Sequence, residues 1–175
     1  MLDFGSFNEM KKIIISAINL RSGGTLSILN DCLEYLDKNL ASQYEIVALI
    51  HKKEVLKQKT KNIRYIEFPK STKSYIHRIY YEYVHFWFLS KKMEPYLWLS
   101  LHDISPLVKS KVQAVYCHNP SPFYKISRRE FFLDLKFAFF TFFYKYLYKI
   151  NIKKNNYVIV QQDWLRQRFI DIYKI

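Results

Sequence analysis

Two adjacent glycines, Gly23 and Gly24, are the residues whose type and spacing most clearly suggest chemistry. They follow an apolar, strand-like run at 11–18 and a polar loop at 19–22, and they precede a helix-like stretch at 25–40. Glycine permits close approach of the backbone to a ligand, and a helix N-terminus favours an anion such as phosphate. The chain has no complete GxGxxG or Walker pattern. A loop that contacts phosphate and an ordinary strand-to-helix turn both remain open.

Polar side chains also follow the other apolar runs of the chain. The candidate site residues selected in this way, together with the two glycines, are Asn19, Arg21, His102, Asp103, His118, Asn119 and Gln162. In a parallel sheet, ligands bind beyond the carboxyl ends of the strands. Strand ends are polar in many α/β proteins, which explains each residue singly. The general polarity of strand ends explains less easily why two successive predicted strands are each followed by a histidine, His102 and His118.

Metal and thiol chemistry are not expected. Cys32 lies on the apolar face of a predicted helix and Cys117 ends an apolar strand, so both are predicted to be free thiols. Cys117 and His118 are adjacent on a strand and point to opposite faces, which argues against a nucleophile–base pair. No CxxC or HxxxH spacing occurs. We therefore expect no metal and no cofactor.

The elements that must position these residues alternate along the chain. Continuous apolar or alternating runs predict strands, and apolar residues at helical spacing predict helices. Strands that alternate with helices predict an α/β fold, a doubly wound, Rossmann-like parallel sheet of about six strands in one domain spanning 1–175. The predicted strands are 11–18, 44–50, 62–68, 96–101, 112–117 and 157–160, and the predicted helices are 25–40, 75–90, 128–150 and 163–173.

The helix predicted at 128–150 has a narrow polar stripe of Asp134, Thr141, Lys145 and Lys149 on an otherwise aromatic surface. It has too many charges for a membrane span. Either it packs its aromatic side chains in the core, or it exposes them to a membrane with its lysines near anionic head groups.

A second stripe lies on the helix predicted at 75–90. Arg78, Glu82 and His85 share one face of that helix. We interpret this face as exposed to solvent, with a possible ion pair between Arg78 and Glu82.

Four segments together resemble a known family. They are KKIIISAINLRSGGTLSILNDCLEYL, SLHDISP, VQAVYCHNPSPF and YVIVQQDWLRQRF. Their order and spacing resemble the N-terminal half of a retaining glycosyltransferase of the GT-B fold, of the family 4 or "glycosyl transferases group 1" type. The resemblance covers roughly residues 11–175.

The resemblance implies a division of labour. The N-terminal domain binds mostly the acceptor, and a C-terminal domain holds the nucleotide-sugar, which is a co-substrate. Gly23 and Gly24 match the loop that abuts the donor diphosphate or the transferred sugar, and His118 matches the histidine at the reaction centre. Helix dipoles and cations, rather than a metal, stabilise the leaving diphosphate. The implied acceptor is a glycan or a polyprenyl-linked sugar in cell-surface polysaccharide synthesis.

The family's donor-binding part has no match before Ile175, so the chain alone is expected to be inactive. MLDFGSFNEMKK lacks the apolar core of a signal peptide, which predicts a cytoplasmic protein. The aromatic helix at 128–150 and the lysines that continue it add the expectation that this protein is peripheral at the inner membrane face. The 28 basic and 15 acidic residues of the chain give it a net charge of +13, which favours anionic partners.

The alternative to a glycosyltransferase domain is a basic nucleic-acid-binding α/β domain without enzymatic activity. It is disfavoured because the aromatic residues have core-like spacing and no RNP, KH or zinc-finger pattern occurs.

Overall fold

The computed structural model describes residues 10–58, 60–123 and 133–175. Within these residues, six strands form one parallel sheet in the order β3-β2-β1-β4-β5-β6. The strands are β1 (Lys11–Ala17), β2 (Tyr44–Ile50), β3 (Ile63–Glu67), β4 (Leu97–Ser100), β5 (Val112–Cys117) and β6 (Tyr157–Val160). Helices cover both faces of the sheet. The predicted Rossmann-like α/β class is therefore confirmed.

The helices divide between the two faces of the sheet. Helix α1 (Gly23–Asn39) buries Leu29, Leu33 and Leu36 against the face that carries Ile13 and Ile15. Helix α3 (Phe86–Met93) packs against the opposite face, where Ile14 and Trp98 lie. The connections leave β1 and β3 in opposite directions across the sheet, and right-handed crossovers then require opposite faces.

Two further helices complete the second face. Helix α4 (Leu135–Lys149) and helix α5 (Asp163–Tyr173) pack over Val115 and Cys117 of β5. Ser16 pairs in register with Ser100, and Ser100 pairs with Val115, so Val115 points to the same face as Ile14. The β5–β6 end of this face is therefore closed by aromatic helices.

The predicted helix at 75–90 is three elements rather than one. It consists of α2 (Tyr75–Tyr80), a π-helical turn (Tyr81–His85) and α3, which ends at Glu94 in a left-handed conformation. A π turn inserts one extra residue and shifts the faces of the helix before and after it. Apolar spacing does not reveal this shift, because aromatic residues occur on every side of the segment.

The long helix predicted at 128–150 is described only from residue 133, and residues 128–132 lie outside the described ranges. The predicted polar stripe does not face solvent as a unit. Thr141 is buried with Tyr144 and Tyr148, whereas Phe142 and Tyr146 are 64% and 55% exposed. The described part of the helix therefore uses part of its aromatic surface for packing and leaves part of it open.

Candidate functional site

The sheet changes its winding direction between β1 and β4, which are neighbours. Ligands of open α/β sheets bind at such a switch point, beyond the carboxyl ends of the strands. Asn19 and Arg21 follow β1, and His102 follows β4. The fold therefore brings three of the predicted site residues to the place where a ligand is expected.

A cleft of about 450 Å³ opens at this edge of the sheet. It is lined by the loops after β1 and β3 together with α2: Asn19, Arg21, Ser71, Thr72, Lys73, Ser74, Tyr75 and Arg78. Three of these residues are cations and none is acidic. The candidate residues selected from the sequence follow β1, β4, β5 and β6, whereas this cleft combines the loops after β1 and β3.

Arg78 forms the floor of the cleft. Its side chain is buried, and it donates hydrogen bonds to the Tyr144 hydroxyl at 3.0 Å and to the His102 carbonyl at 2.8 Å. With the Asn19 amide oriented so that its oxygen faces Arg78, this oxygen accepts from both terminal guanidinium nitrogens at 3.2 Å. The guanidinium is thus held by three elements of the fold, and its position is fixed before any ligand binds.

The hydrogen bonds around His102 determine its tautomer. Its Nδ1 lies 3.3 Å from an Arg78 nitrogen, which can only donate, so Nδ1 must accept. The proton is therefore on Nε2, which lies 3.1 Å from the Ser16 hydroxyl. Burial and the positive charge of Arg78 lower the pKa of His102 well below its usual value. The fully buried imidazole is neutral, and it holds Arg78 without contacting the cleft.

Glu82 lies in the π turn, four residues after Arg78, and is fully buried. Its Oε1 lies 3.3 Å from His102 Nε2, but neither carboxylate oxygen has a hydrogen-bond partner among the residues that the structure describes. Burial raises the pKa of Glu82 to about 8, although Arg78 acts in the opposite direction. The raised pKa favours the protonated form of Glu82, and among the described residues no ion pair is formed by Arg78. The expectation that Arg78 and Glu82 lie on a solvated stripe was wrong, because α4 and the loop after β4 cover this face.

Asp103 organises a separate network at the other end of the same edge. Its Oδ1 accepts hydrogen bonds from the backbone N–H groups of His118 at 2.8 Å and Asn119 at 3.1 Å, and from the Tyr148 hydroxyl at 2.8 Å. Its φ of +70° lies in the left-handed region, which Asp tolerates better than most residues. Asp103 therefore fixes the turn after β5 and is largely occupied by the fold.

This network holds the predicted catalytic residue. The His118 ring stacks on Tyr116 with centroids 5.9 Å apart, and its Nδ1 lies 3.4 Å from Asp103 Oδ1. The ring is partly exposed, so one side of it is open to a ligand. The Asn119 side chain accepts a hydrogen bond from the Ser121 N–H at 3.0 Å and so stabilises the turn.

The glycine pair occupies the start of α1. Gly23 has a φ of +70°, which favours glycine, and a Cβ at either glycine would meet no heavy atom within 4 Å. The backbone conformation therefore explains Gly23, whereas packing does not explain Gly24. Gln162 precedes α5, is exposed, and accepts a hydrogen bond from the Trp164 indole. Both glycines and Gln162 lie at the carboxyl edge, but none of them lines the cleft.

Sequence reasoning missed Lys73, Arg78 and Glu82 as parts of the site. Arg78 and Glu82 were visible as a charged pair four residues apart in an aromatic helix. The burial of that pair had no signal in the sequence, since Arg and Glu are almost never fully buried unless they are paired. Lys73 lies in a polar loop after Pro69 and carried no distinguishing signal.

No family model, no curated protein and no solved structure matches this chain. Among the described residues, no group of three or more His, Cys, Asp and Glu side chains is arranged to hold a metal ion. The described helices also include none that is long and apolar enough to cross a membrane. The function must therefore be argued from the cleft and the network themselves.

Proposed function

We propose that this chain is the acceptor-side domain of a retaining GT-B glycosyltransferase. It would help to move a sugar from a nucleotide-sugar to a glycan or lipid-linked acceptor, in cell-surface polysaccharide synthesis. The observation that carries the proposal is the cationic cleft at the switch point of a sheet whose strand order is 3-2-1-4-5-6. Transfer from a nucleotide-sugar releases a diphosphate, whose charge fixed cations and dipoles stabilise.

The proposal gives different tasks to the residues of this edge. His118 contacts the sugar near the reaction centre, because its ring is partly open and its backbone is fixed by Asp103. Asn19 and Arg21 bind the acceptor in the cleft. His102 and Asp103 act as positioning residues, because both are buried and engaged with neighbours.

Peripheral association with the cytoplasmic face of an anionic membrane is part of the same proposal. Phe142 and Tyr146 are exposed on α4, beside the exposed Lys145 and Lys149. Aromatic side chains insert at the boundary of head groups and acyl chains, and each nearby lysine contributes on the order of 1 kcal/mol. The exposed aromatic residues support this interpretation over complete burial of the helix.

Vesicle co-sedimentation tests the membrane proposal. We expect binding to vesicles that contain phosphatidylglycerol, weaker binding at high salt, and a clear loss of binding for a variant with Lys145, Lys149, Lys153 and Lys154 changed to alanine. Equal binding of wild type and variant to neutral and anionic vesicles would contradict it.

A ligand panel tests the sugar-transfer proposal. Amide resonances of the ¹⁵N-labelled chain are recorded with oligosaccharides, sugar phosphates, nucleotide-sugars and a random oligonucleotide. We expect sugar-containing acceptors to shift resonances after β1, β3 and β5. Nucleotide-sugars should have weaker effects, limited to the loops after β1 and β3 that line the cationic cleft, and the chain alone should transfer no sugar. Binding confined to the oligonucleotide, with steep salt dependence, would support the nucleic-acid alternative instead.

A further inference from the structure

The cleft between the loops after β1 and β3 contains a buried positive charge that has no ion-pair partner among the described residues. Arg78 is only 7% exposed, and its Nε has no hydrogen-bond partner in the described part of the chain. A buried cation without a counterion is unfavourable unless a ligand or a buried anion compensates it. The arrangement of this cleft therefore indicates an anionic ligand.

The nearest buried acid does not supply that anion. Glu82 lies four residues from Arg78, but its carboxylate oxygens face His102 without accepting a hydrogen bond. Burial raises the pKa of Glu82 to about 8, which favours its neutral form. Glu82 is thus a weak counterion for Arg78.

The remaining lining residues narrow the class of anion. Arg21 and Lys73 add two cations to the same cleft, and none of its described lining residues is acidic. One carboxylate would neutralise a single cation, whereas a phosphate monoester or a diphosphate carries more charge and several acceptor oxygens. The Arg21 guanidinium can bind such a group through two parallel hydrogen bonds, whereas Arg78 contributes its charge and its unpartnered Nε–H group. The volume of about 450 Å³ accommodates a phosphate with an attached organic group.

We propose that this cleft is a phosphate-binding site in which Arg78 is the fixed cation and Arg21 and Lys73 are the outer cations. His102 and Tyr144 are positioning residues, because they hold the guanidinium. The inference deepens the proposed function by assigning a phosphorylated group to the acceptor side. It rests on that function only for the name of the acceptor, since any phosphorylated ligand satisfies the same chemistry.

The phosphate can belong to a soluble molecule or to a lipid. Tyr75 lines the cleft and is 59% exposed, and the adjacent Ile76 is 78% exposed. A lipid tail would lie against such a rim, whereas a soluble phosphate would not need it. The experiment therefore has one arm for each source.

Isothermal titration calorimetry with inorganic pyrophosphate tests the soluble arm. Flotation with phosphatidylcholine vesicles, with and without phosphatidic acid, tests the lipid arm. The test variant is Arg21→Ala/Lys73→Ala, whose changes lie at the mouth of the cleft and spare the buried network. The matched control is Lys92→Ala/Lys111→Ala, which removes the same charge from two exposed lysines at the opposite edge of the sheet.

We expect the test variant to lose about tenfold or more in affinity for at least one probe, and the control to lose less than about twofold. Arg78→Lys, which keeps the charge but removes buried hydrogen bonds to Tyr144, His102 and Asn19, should weaken binding and also lower the melting temperature, so the Arg21→Ala/Lys73→Ala variant is the decisive one. Equal losses in test and control variants, or no binding of either probe by wild type, would overturn the site.

Failure of this site can be distinguished from failure of the proposed function. If maltooligosaccharides or other neutral glycans shift the resonances after β1 and β5 while neither phosphate probe binds, the proposed sugar binding is supported and the phosphate site is rejected. If the phosphate probes bind through Arg21 and Lys73 while no sugar binds, the phosphate site is supported and the proposed sugar transfer is rejected.

Discussion

Polar side chains have different roles at the two ends of the carboxyl edge of the sheet, in the Asp103 network and in the cleft. Around Asp103, the carboxylate and its neighbours satisfy one another through short hydrogen bonds, and the turn after β5 is locked. In the cleft, Arg21 and Lys73 lie at the surface, and Arg78 is held in place without a neutralising partner. A polar residue at a strand end is a candidate for ligand binding only when the fold leaves part of its bonding capacity or charge unused.

The largest effect on stability is expected at Asp103. Asp103→Ala removes the acceptor of two backbone N–H groups and the Tyr148 hydroxyl, which should lower the free energy of unfolding by about 3 kcal/mol. Urea denaturation measures this change. Asp103→Asn is the control, since it keeps an acceptor oxygen and tolerates the positive φ, and it should cost less than half as much. Similar small losses in both variants would mean that the network is not what fixes this turn.

The next effect is the pH dependence of stability that Glu82 causes. The Glu82 side chain faces Arg78 of α2 and His102 of the segment after β4, and the His102 imidazole in turn contacts Ser16 of β1. The pKa of Glu82 is raised in the folded state from 4.5 to about 8, so the folded protein binds the extra proton and stability falls as pH rises towards 8. The lowered pKa of His102 has the opposite sign, but that effect is confined to pH below about 6.5.

Between pH 7 and 8, where an unfolded histidine is mostly neutral, the Glu82 effect should therefore meet little opposition from His102. The free energy of unfolding should fall by up to about 1.4 kcal/mol per pH unit in wild type, and much less in Glu82→Gln. Urea titrations of both proteins across this window measure the slopes. Parallel slopes would mean that Glu82 is already ionised, and the cleft would then have its own counterion.

Substitution of the two glycines should change stability by smaller amounts, which differ between Gly23 and Gly24. Gly23→Ala places a side chain at a φ of +70°, which should cost about 1–2 kcal/mol. Gly24→Ala lies inside α1 in open space and should be neutral or stabilise by up to about 1 kcal/mol, because alanine favours helices. Thermal melts compare the two. If the proposed sugar-transfer function is correct, Gly24→Val should also lower turnover without unfolding the domain, because a Cβ at Gly24 meets no described heavy atom within 4 Å.

The smallest stability effect is expected at the mouth of the cleft. Arg21→Ala and Lys73→Ala should each change the free energy of unfolding by less than about 0.5 kcal/mol, because neither side chain makes a described hydrogen bond or ion pair. The same variants are expected to lose phosphate binding. A large loss of stability would place these residues with the Asp103 network, and the contrast between the two ends of the edge would disappear.

Much of the fold could be predicted from the sequence because buried parallel strands need apolar side chains on both faces. That requirement is local, and the predicted strands at 44–50, 112–117 and 157–160 coincide with β2, β5 and β6. The carboxyl-edge positions of the residues around Gly23 and His118 follow from the same alternation. The π turn could not be predicted, since its extra residue leaves the aromatic pattern unchanged.

By itself, the sequence determined the strands, the direction of the sheet, and the edge at which polar residues gather. Only the tertiary structure decided which of those residues are occupied and which remain available. His102 meets Ser16 across 86 positions of the chain, and Arg78 meets Tyr144 across 66. Periodicity cannot report such contacts, because burial of a charged helix face depends on which distant element packs over it. Here that packing turned an expected solvent-facing stripe into the buried support of a cationic cleft.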